Sequence, residues 1–405
     1  MLRKFLLALT LFSILSMLMF PLENHAQGDS TKPGDESGSI PYSFDYELFK
    51  TIVNKQPENN IFISPLSVSL ALAMTANGAV GPTFDEMHRV LGLRQMSPER
   101  VNEYYKELAA VMPETDPGVV IKIANSIWYR LGLDFEASFL NLNREYYQAE
   151  IVGLDFARPE TLDRINSWVR EKTMDKITEI VAGPIDPLTV MYLINAVYFK
   201  GTWTYQFDET RTRTLPFYTP GTAPADCRLM YQKNTFNYTE NEHFQAADIP
   251  YGTESFVLTV ILPRENTEIN RLIALLNPDS LNRWLGEMSP QEGHVYLPRF
   301  KQEYEINLNE VLKNLGMVTA FGAADFSKIR PQKDLFISEV KHKTFIEVNE
   351  EGTEAAAVTS VVLQKAAFME PQLFTLRCDR PFIYLIREKD RGTVLFIGKL
   401  HRPNN

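Results

Sequence analysis

The sequence predicts one large α+β domain, and three observations support this prediction. Apolar residues recur at helical spacing in the first half of the chain, whereas apolar runs of strand length dominate the second half. After residue 41, no Pro- or Ser-rich break and no internal repeat divides the chain, so one domain is favoured over two. At 405 residues, the chain is long enough to bury an ample core.

The helical elements come first along the chain. Phe44, Leu48 and Ile52 are spaced four residues apart, which places them on one face of an amphipathic helix that opens the domain. Residues 67–74 and 161–180 show further helical patterns. The folded body is therefore expected to start near residue 41 with helices.

The strands follow in the second half. Residues 256–262, 382–386 and 393–397 form nearly continuous apolar runs that are rich in β-branched and aromatic side chains. Such runs are typical of strands that are covered on both faces. Together with the helical first half, they give the α+β class.

The N-terminal segment has the pattern of an export signal. Basic residues in positions 1–4 lead into an apolar stretch at 5–20, which is followed by Pro21, so residues 1–27 are predicted to be a cleaved signal peptide. The alternative is an uncleaved membrane anchor, which the short length of the stretch disfavours. We therefore expect a secreted, extracellular protein, periplasmic if the source is bacterial, that is not attached to a membrane after cleavage.

The next segment differs in composition from both of its neighbours. Residues 28–40 are mostly Gly, Asp, Ser, Lys, Pro and Glu, and they contain too little apolar surface to fold. They are predicted to form a disordered polar tether, and residues 41–405 the folded domain.

Charge and cysteine content exclude two classes of protein. A formal net charge of -10 disfavours nucleic acid as a partner. The chain has only two cysteines, Cys227 and Cys378, so it is not a disulfide scaffold. Two separate buried thiols are favoured, and a single bridge between them is the alternative.

The motifs of common enzymes are missing from the sequence. It contains no Gly-x-Ser-x-Gly, His-Glu-x-x-His, Cys-x-x-Cys or Gly-x-Gly-x-x-Gly pattern, and its six histidines are scattered. No catalytic residue, metal or cofactor is therefore expected. A secreted hydrolase stays a less favoured alternative, because the members of a catalytic triad can lie far apart in sequence.

The most informative segment begins at Glu350 and has two interpretations. Thr353 followed by Glu354 and three alanines could start a helix. The β-branched residues that follow instead favour an extended strand, in which alternate side chains share a face. The small residues on one face would then be Thr353, Ala355, Ala357 and Thr359. A strand with such a face fits between two strands of an existing sheet without clashing with the core beneath it.

At this point the chain resembles the serpin family, over essentially the whole body from Pro41 to Pro403. One set of residues resembles the family's proximal hinge: Glu350, Glu351, Gly352, Thr353, Glu354, Ala355, Ala356, Ala357, Val358 and Thr359. A second set matches family positions beneath and beside the opening of the central sheet: Asn60, Ser64, Pro65, Ser67, Asn195, Trp203 and His342. Further matching segments occur in the family's order, which makes the resemblance specific.

The resemblance implies a serpin-type domain with a central β-sheet, two further sheets, surrounding helices and an exposed reactive-centre loop at about residues 350–371. It also implies an irreversible suicide-substrate inhibitor of serine proteases that is itself not an enzyme and is a monomer. In this mechanism a protease attacks the loop, forms an acyl-enzyme and is trapped when the loop inserts as a strand. A non-inhibitory serpin that acts as a binding, carrier or chaperone module is the alternative.

The resemblance also sets the reactive bond. The family places the residue before that bond fourteen positions after the hinge glycine, which gives Ala366–Ala367 when counted from Gly352. A small residue there favours an elastase-like or subtilisin-like protease. A shift of the bond to Lys365 would suit a trypsin-like enzyme, and a shift to Phe368 a chymotrypsin-like one.

Overall fold

The computed structural model describes residues 43–353 and 373–403. Within them the helices lie mainly in the first half of the chain, as predicted. They are α1 Ser43–Lys55, α2 Pro65–Ala76, α3 Gly81–Val90, α4 Pro98–Val111, α5 Ala137–Tyr147, α6 Glu160–Lys172, α7 Ile269–Ala274, α8 Pro278–Gly286 and α9 Asn309–Asn314.

The strands of the described residues continue almost to the end of the chain. They are β1 Ile61–Ile63, β2 Val119–Arg130, β3 Glu150–Leu154, β4 Met191–Thr202, β5 Arg213–Phe217, β6 Ala225–Glu240, β7 Phe244–Tyr251, β8 Phe256–Pro263, β9 Ser289–Pro298, β10 Phe300–Asn307, β11 Lys341–Val348, β12 Gly352–Thr353, β13 Phe374–Arg377, β14 Phe382–Glu388 and β15 Val394–Leu400. The predicted α+β class is confirmed.

A six-stranded sheet contains β12, which is formed by the predicted hinge residues Gly352 and Thr353. Its order is β10-β11-β12-β4-β2-β3. β10 and β11 form one long antiparallel pair, and β2 and β4 form another. The short β12 lies between these two pairs and joins β11 to β4 at one end only.

The other strands form a nine-stranded ladder with the order β1-β15-β14-β8-β7-β6-β9-β13 and with β5 on β6. The sixteen-residue β6 pairs with β5, β7 and β9 at different points along its length. The two further sheets that the sequence led us to expect are therefore joined through β6.

The three predicted strands lie in this ladder as β8, β14 and β15. Every residue of these strands is buried, which explains their nearly continuous apolar runs. Helix α1 likewise buries Phe44, Leu48 and Ile52 on one face, as predicted.

One helix is shorter than the sequence predicted. The pattern at 161–180 predicted a helix up to residue 180, but α6 ends at Lys172. Met174 and Asp175 have φ values of 51° and 62°, which a right-handed helix does not permit. Ile177 and Val181 are nevertheless buried, so the apolar pattern reflects packing of a loop against the sheet.

Both cysteines are free and buried, which confirms the prediction of two separate thiols. Burial raises the pKa of Cys227 to about 11 and raises that of Cys378 further, so both stay protonated at neutral pH. In the described ranges, no helix has the length and apolarity needed to cross a bilayer.

Candidate functional site

The hinge enters the six-stranded sheet at β12. Gly352 lies opposite Thr202, and Thr353 lies between Gly201 of β4 and Val348 of β11. A Cβ atom on Gly352 would lie 2.1 Å from the carbonyl oxygen of Gly201. Only glycine therefore permits this close approach of the two backbones.

Two aromatic residues hold the hinge in place. The hydroxyl of Tyr251 is hydrogen-bonded to Oγ1 of the buried Thr353 at 2.7 Å. The Tyr251 ring stacks on Trp203, with centroids 4.4 Å apart. Nε1 of Trp203 in turn donates to the carbonyl oxygen of Asn349 at 2.8 Å. The backbone N–H of Trp203 donates to the carbonyl oxygen of Glu351 at 2.9 Å. The turn before the hinge and the first inserted residue are thus held by one aromatic stack.

The hinge begins at a buried carboxylate, Glu350, which is only 1% exposed. It accepts a hydrogen bond from the hydroxyl of Thr212 at 2.9 Å and lies 3.4 Å from the guanidinium of Arg299. Its backbone carbonyl also accepts from the N–H of Phe207 at 2.9 Å. These contacts fix the backbone and the side chain of Glu350 just before β12.

Beyond Thr353 the facing edges of β4 and β11 line a cavity of about 510 Å³, which we call the slot. Its walls include Asn195 from β4 and His342 from β11. Its floor includes Ser64 and Ser67 at the start of α2. The slot is therefore a continuation of the groove that β12 enters.

Ser64 and His342 are joined across the floor of the slot. The backbone N–H of Ser64 donates to Nε2 of His342 at 3.0 Å, and the hydroxyl of Ser64 accepts from the N–H of Ser67 to cap α2. Nε2 is an acceptor here, so the neutral ring carries its proton on Nδ1. Complete burial lowers the pKa of His342 to about 4.

This burial predicts a pH-dependent loss of stability. The unfolded chain takes up a proton on this residue near pH 6.5, while the folded chain resists protonation down to about pH 4. The contribution is complete above pH 6.5, and about 3 kcal/mol of it is lost as the pH falls to 4. We expect this loss in denaturant titrations of the wild type at pH 7 and pH 4. His342→Gln keeps an acceptor for Ser64 and should lack this component, whereas parallel pH profiles would contradict the assignment.

On the opposite wall, Asn195 presents a free acceptor. Its Nδ2 donates to Oδ1 of Asn125 at 2.8 Å, and Asn125 donates to the carbonyl oxygen of Tyr147 at 2.7 Å. These bonds fix the orientation of the amide. Its Oδ1 is buried and has no hydrogen-bond partner among residues 43–353 and 373–403.

The structure brings together Ser64, Ser67, Asn195 and His342 in the slot, while Pro65 starts α2 beside it. Asn60 lies elsewhere, where its Oδ1 accepts from the N–H groups of His401 and Arg402 and anchors the C-terminal segment. The hinge residues after Thr353 lie outside the described residues, as do all the reactive-bond positions. These are Glu354, Ala355, Ala356, Ala357, Val358, Thr359, Lys365, Ala366, Ala367 and Phe368.

Sequence reasoning missed several residues that support this site. They are Thr212 and Arg299 beside Glu350, Gly201 and Tyr251 beside the hinge, and Asn125 behind Asn195. Tyr251 and Arg299 lie in segments that match the family, but their local sequence gives no signal of the partner that each one contacts.

Comparison with known proteins agrees with this geometry. The sequence profile described as Serpin (serine protease inhibitor) matches residues 40–403. The leukocyte elastase inhibitor of Bos taurus is 36% identical over 372 residues, which are 89% of this chain and 97% of that protein.

Two solved structures are similar over nearly their whole length. Tengpin, a thermophilic serpin in the native state, has a TM-score of 0.82 at 36% identity, with 92% of this chain and 96% of that chain covered. Human thyroxine-binding globulin has a TM-score of 0.82 at 26% identity, with 91% and 98% covered. The chain therefore belongs to the serpin family.

Proposed function

We propose that this serpin is an irreversible suicide-substrate inhibitor of serine proteases. The observation that carries the proposal is the slot between β4 and β11. At the end of the slot next to β12, Thr353 is already paired with Gly201 of β4 and Val348 of β11. Among the described residues, the facing edges of β4 and β11 beyond β12 are not paired with any strand, so a strand that continues from Thr353 could pair with both. The slot thus has the position and chemistry to receive the loop.

The register of β12 predicts what the inserted strand would meet. Six residues beyond Thr353, the same register places Thr359 between Asn195 on β4 and His342 on β11. Directly paired residues share a face of the sheet, so the Thr359 hydroxyl would point towards the slot floor. There it can donate to the unpartnered Oδ1 of Asn195. The small, polar Thr359 therefore fits the polar middle of the slot.

The length of the slot supports the predicted reactive bond. If the same register continued, Ala366 would lie opposite Leu188 on one side and Leu335 on the other. Both residues line the cavity. A strand that ends at Ala366 therefore spans the slot from the hinge to these residues.

The proposed reaction uses the chemistry of the protease and the fold of this chain. The catalytic serine of the protease attacks the carbonyl carbon of Ala366, the bond to Ala367 breaks, and Ala367 leaves with a free amine while Ala366 is held as an ester. Insertion of about fourteen residues at roughly 3.3 Å each moves this ester by about 45 Å. The attached protease is dragged along and distorted before water can hydrolyse the ester. Insertion releases free energy only if the inserted fold is the more stable one, so the uncleaved fold is a kinetically trapped state.

The target class follows from the residue at the bond. Ala366 suits the shallow specificity pocket of an elastase-like or subtilisin-like protease, and its relative from Bos taurus is by name an elastase inhibitor. Residues 1–27 have the pattern of a signal peptide, which supports export of the protein to a compartment where it could meet a secreted protease. A binding role is the second candidate, since human thyroxine-binding globulin shares the fold.

The test is to incubate the mature protein with elastase-, subtilisin-, trypsin- and chymotrypsin-type proteases and to analyse denaturing gels and released peptides by mass spectrometry. We expect a denaturant-resistant band at the summed mass and a new N-terminus at Ala367. A new terminus at Ala366 or after Phe368 would move the bond and the target class. Loop cleavage by every protease without such a band would contradict inhibition and leave the binding role.

A further inference from the structure

A row of stacked arginine and tyrosine side chains crosses the outer face of β6, β9 and β13. Tyr231 on β6 lies directly opposite Tyr296 on β9, and Tyr296 lies opposite Arg377 on β13. Directly paired residues share one face of a sheet, so these three side chains form one row. Arg211, from the helical turn at residues 209–211, extends the row beyond β6.

The members of this row contact each other in sequence. The guanidinium of Arg211 lies 4.0 Å from the ring centroid of Tyr231, and the ring of Tyr231 lies 4.9 Å from that of Tyr296. The guanidinium of Arg377 lies 5.9 Å from the Tyr296 ring. The hydroxyl of Tyr231 is 2.8 Å from Nδ1 of His294, which fixes the Tyr231 ring. We call these residues, Arg211, Tyr231, His294, Tyr296 and Arg377, the Arg-Tyr row.

The row is positively charged, whereas the whole chain carries a formal net charge of -10. Arg377 is paired with Asp379 at 2.9 Å, but that carboxylate also binds Arg380 at 3.2 Å. Arg211 is exposed and has no carboxylate oxygen within 4.0 Å in the part of the chain that the structure describes. Two carboxylates lie farther away in the same turn: Asp208, whose pKa is lowered by hydrogen bonds from Thr210 and in part by the charge of Arg211, and Glu209.

The ion pair between Lys233 and Glu292 does not change the net charge around the row. Next to the row, Lys233 is paired with Glu292 at 3.0 Å and is neutralised by it. Among the row's residues, Arg211 therefore keeps a guanidinium outside any direct ion pair, beside the carboxylates of its own turn.

Stacking prepares the row for contact with another protein. Tyr and Arg are enriched among the residues that dominate the binding energy of protein interfaces, and Tyr in addition buries much surface at a low cost in conformational freedom. In the row, the guanidinium groups are already ordered by the rings beneath them. None of the four central side chains is fully buried: Tyr231, His294, Tyr296 and Arg377 are all partly accessible.

The position of the row indicates which partner it would meet. β13 starts at Phe374, eight residues after Ala366, so the proposed reactive bond can be at most about 27 Å from β13 along the chain. A protease domain of about 230 residues has a radius of gyration of about 17 Å. A protease that holds this bond in its active site is thus large enough to lie over the row.

We propose that the Arg-Tyr row is a second docking surface for the attacking protease and that it binds an acidic segment beside the protease's active site. This inference rests on the proposed inhibitory function. The row would select among proteases that cleave the same loop sequence, since it adds electrostatic attraction before the loop is cut. Its main effect would be on the rate of association rather than on the yield of complex.

The test compares two charge reversals, Arg211→Glu in the row and Arg94→Glu as the matched control. Arg94 is also exposed, but it lies just after α3, which packs on α2 and on the turn at residues 319–321. We would use a subtilisin-type protease with an acidic surface and an elastase-type protease with a basic surface. The measurements are the second-order rate constant of covalent complex formation and the Kd of each protease with its catalytic serine replaced by alanine.

For the acidic protease, we expect Arg211→Glu to lower the rate constant and weaken the Kd by about tenfold at low salt, with a smaller difference at about 1 M salt. Arg94→Glu should change both values less than twofold, and the basic protease should not distinguish the two variants. The yield of complex should not change.

Equal effects of the two reversals would overturn the inference. So would loss of binding to a sulfated polysaccharide in Arg211→Glu with unchanged protease rates, because the row would then be a polyanion site. If the wild type forms no covalent complex, the proposed function fails, but the Kd of the inactivated proteases still tests the row independently.

Discussion

Replacement of Thr353 by arginine is expected to convert the proposed inhibitor into a substrate. Thr353 is 2% exposed, lies between Gly201 and Val348, and is hydrogen-bonded to Tyr251 at 2.7 Å. A guanidinium in that position would be buried without an anionic partner, which costs several kcal/mol. In the uncleaved variant this cost is expected to release residue 353 from β12 into solvent, so that insertion then has to bury the guanidinium. The barrier to insertion therefore rises, while the chemistry at the reactive bond does not change.

The competition between insertion and hydrolysis makes this effect large. A rise of about 3 kcal/mol in the insertion barrier slows insertion about 100-fold, so that hydrolysis of the acyl-enzyme overtakes it. We expect the number of inhibitor molecules cleaved per protease inactivated to increase by about tenfold or more. Titration of protease activity against inhibitor concentration, with gels to count cleaved and covalently bound chains, measures this number.

Two matched variants show whether burial is the cause. Thr353→Ser keeps the hydroxyl for Tyr251 and should inhibit as the wild type does. Glu351→Arg places an arginine two residues earlier, before β12, and should also retain inhibition. If Thr353→Arg still trapped protease with the yield of the wild type, insertion through β12 would not be the mechanism.

Cleavage of the loop in the absence of a trapped protease is expected to make the wild type much more stable. The inserted strand would add backbone hydrogen bonds along both β4 and β11, each worth about 0.5 to 1.5 kcal/mol net. A total on the order of 10 kcal/mol in a domain of this size raises the unfolding temperature by about 10 °C or more. Calorimetry before and after limited proteolysis by a protease that is not inhibited, with the cut confirmed by mass spectrometry, measures the shift.

Cleaved Thr353→Arg serves as the control for this experiment, because its loop is cut but should not insert. It should unfold near the temperature of its uncleaved form. A wild type that gains no stability on cleavage would indicate that the slot does not accept the loop. In that case the fold would serve binding, as in a carrier.

Several features of the site could be predicted because they depend on local chemistry. Ser64 before Pro65 is a helix cap in any context, and α2 begins there as the motif implies. The alternation of small residues from Thr353 onwards follows from strand geometry alone, and Thr353 indeed lies on the inner face. The resemblance to a family then supplied the assignment of Asn195 and His342 to one site.

Other features could not be predicted, because they depend on residues that are far apart in sequence. Asn60 belongs to the same motif as Ser64, yet it binds the chain at residues 401–402 instead of lining the slot. The helix predicted up to residue 180 ends at Lys172, because the apolar residues beyond it pack from a loop. Tyr251 and Arg299 are ordinary in sequence and acquire their roles only by contact with the hinge.

The sequence by itself determined the α+β class, the buried strands and the small-faced segment after Gly352, since these follow from apolar periodicity and side-chain size over a few neighbouring residues. Only the tertiary structure decided the register of Thr353 between β4 and β11, the burial that lowers the pKa of His342, and the stacking of the Arg-Tyr row. The physical reason is that pairing, desolvation and stacking join segments that are far apart in the chain, such as Ser64 and His342, which are 278 residues apart. No local pattern specifies such contacts before the chain has folded.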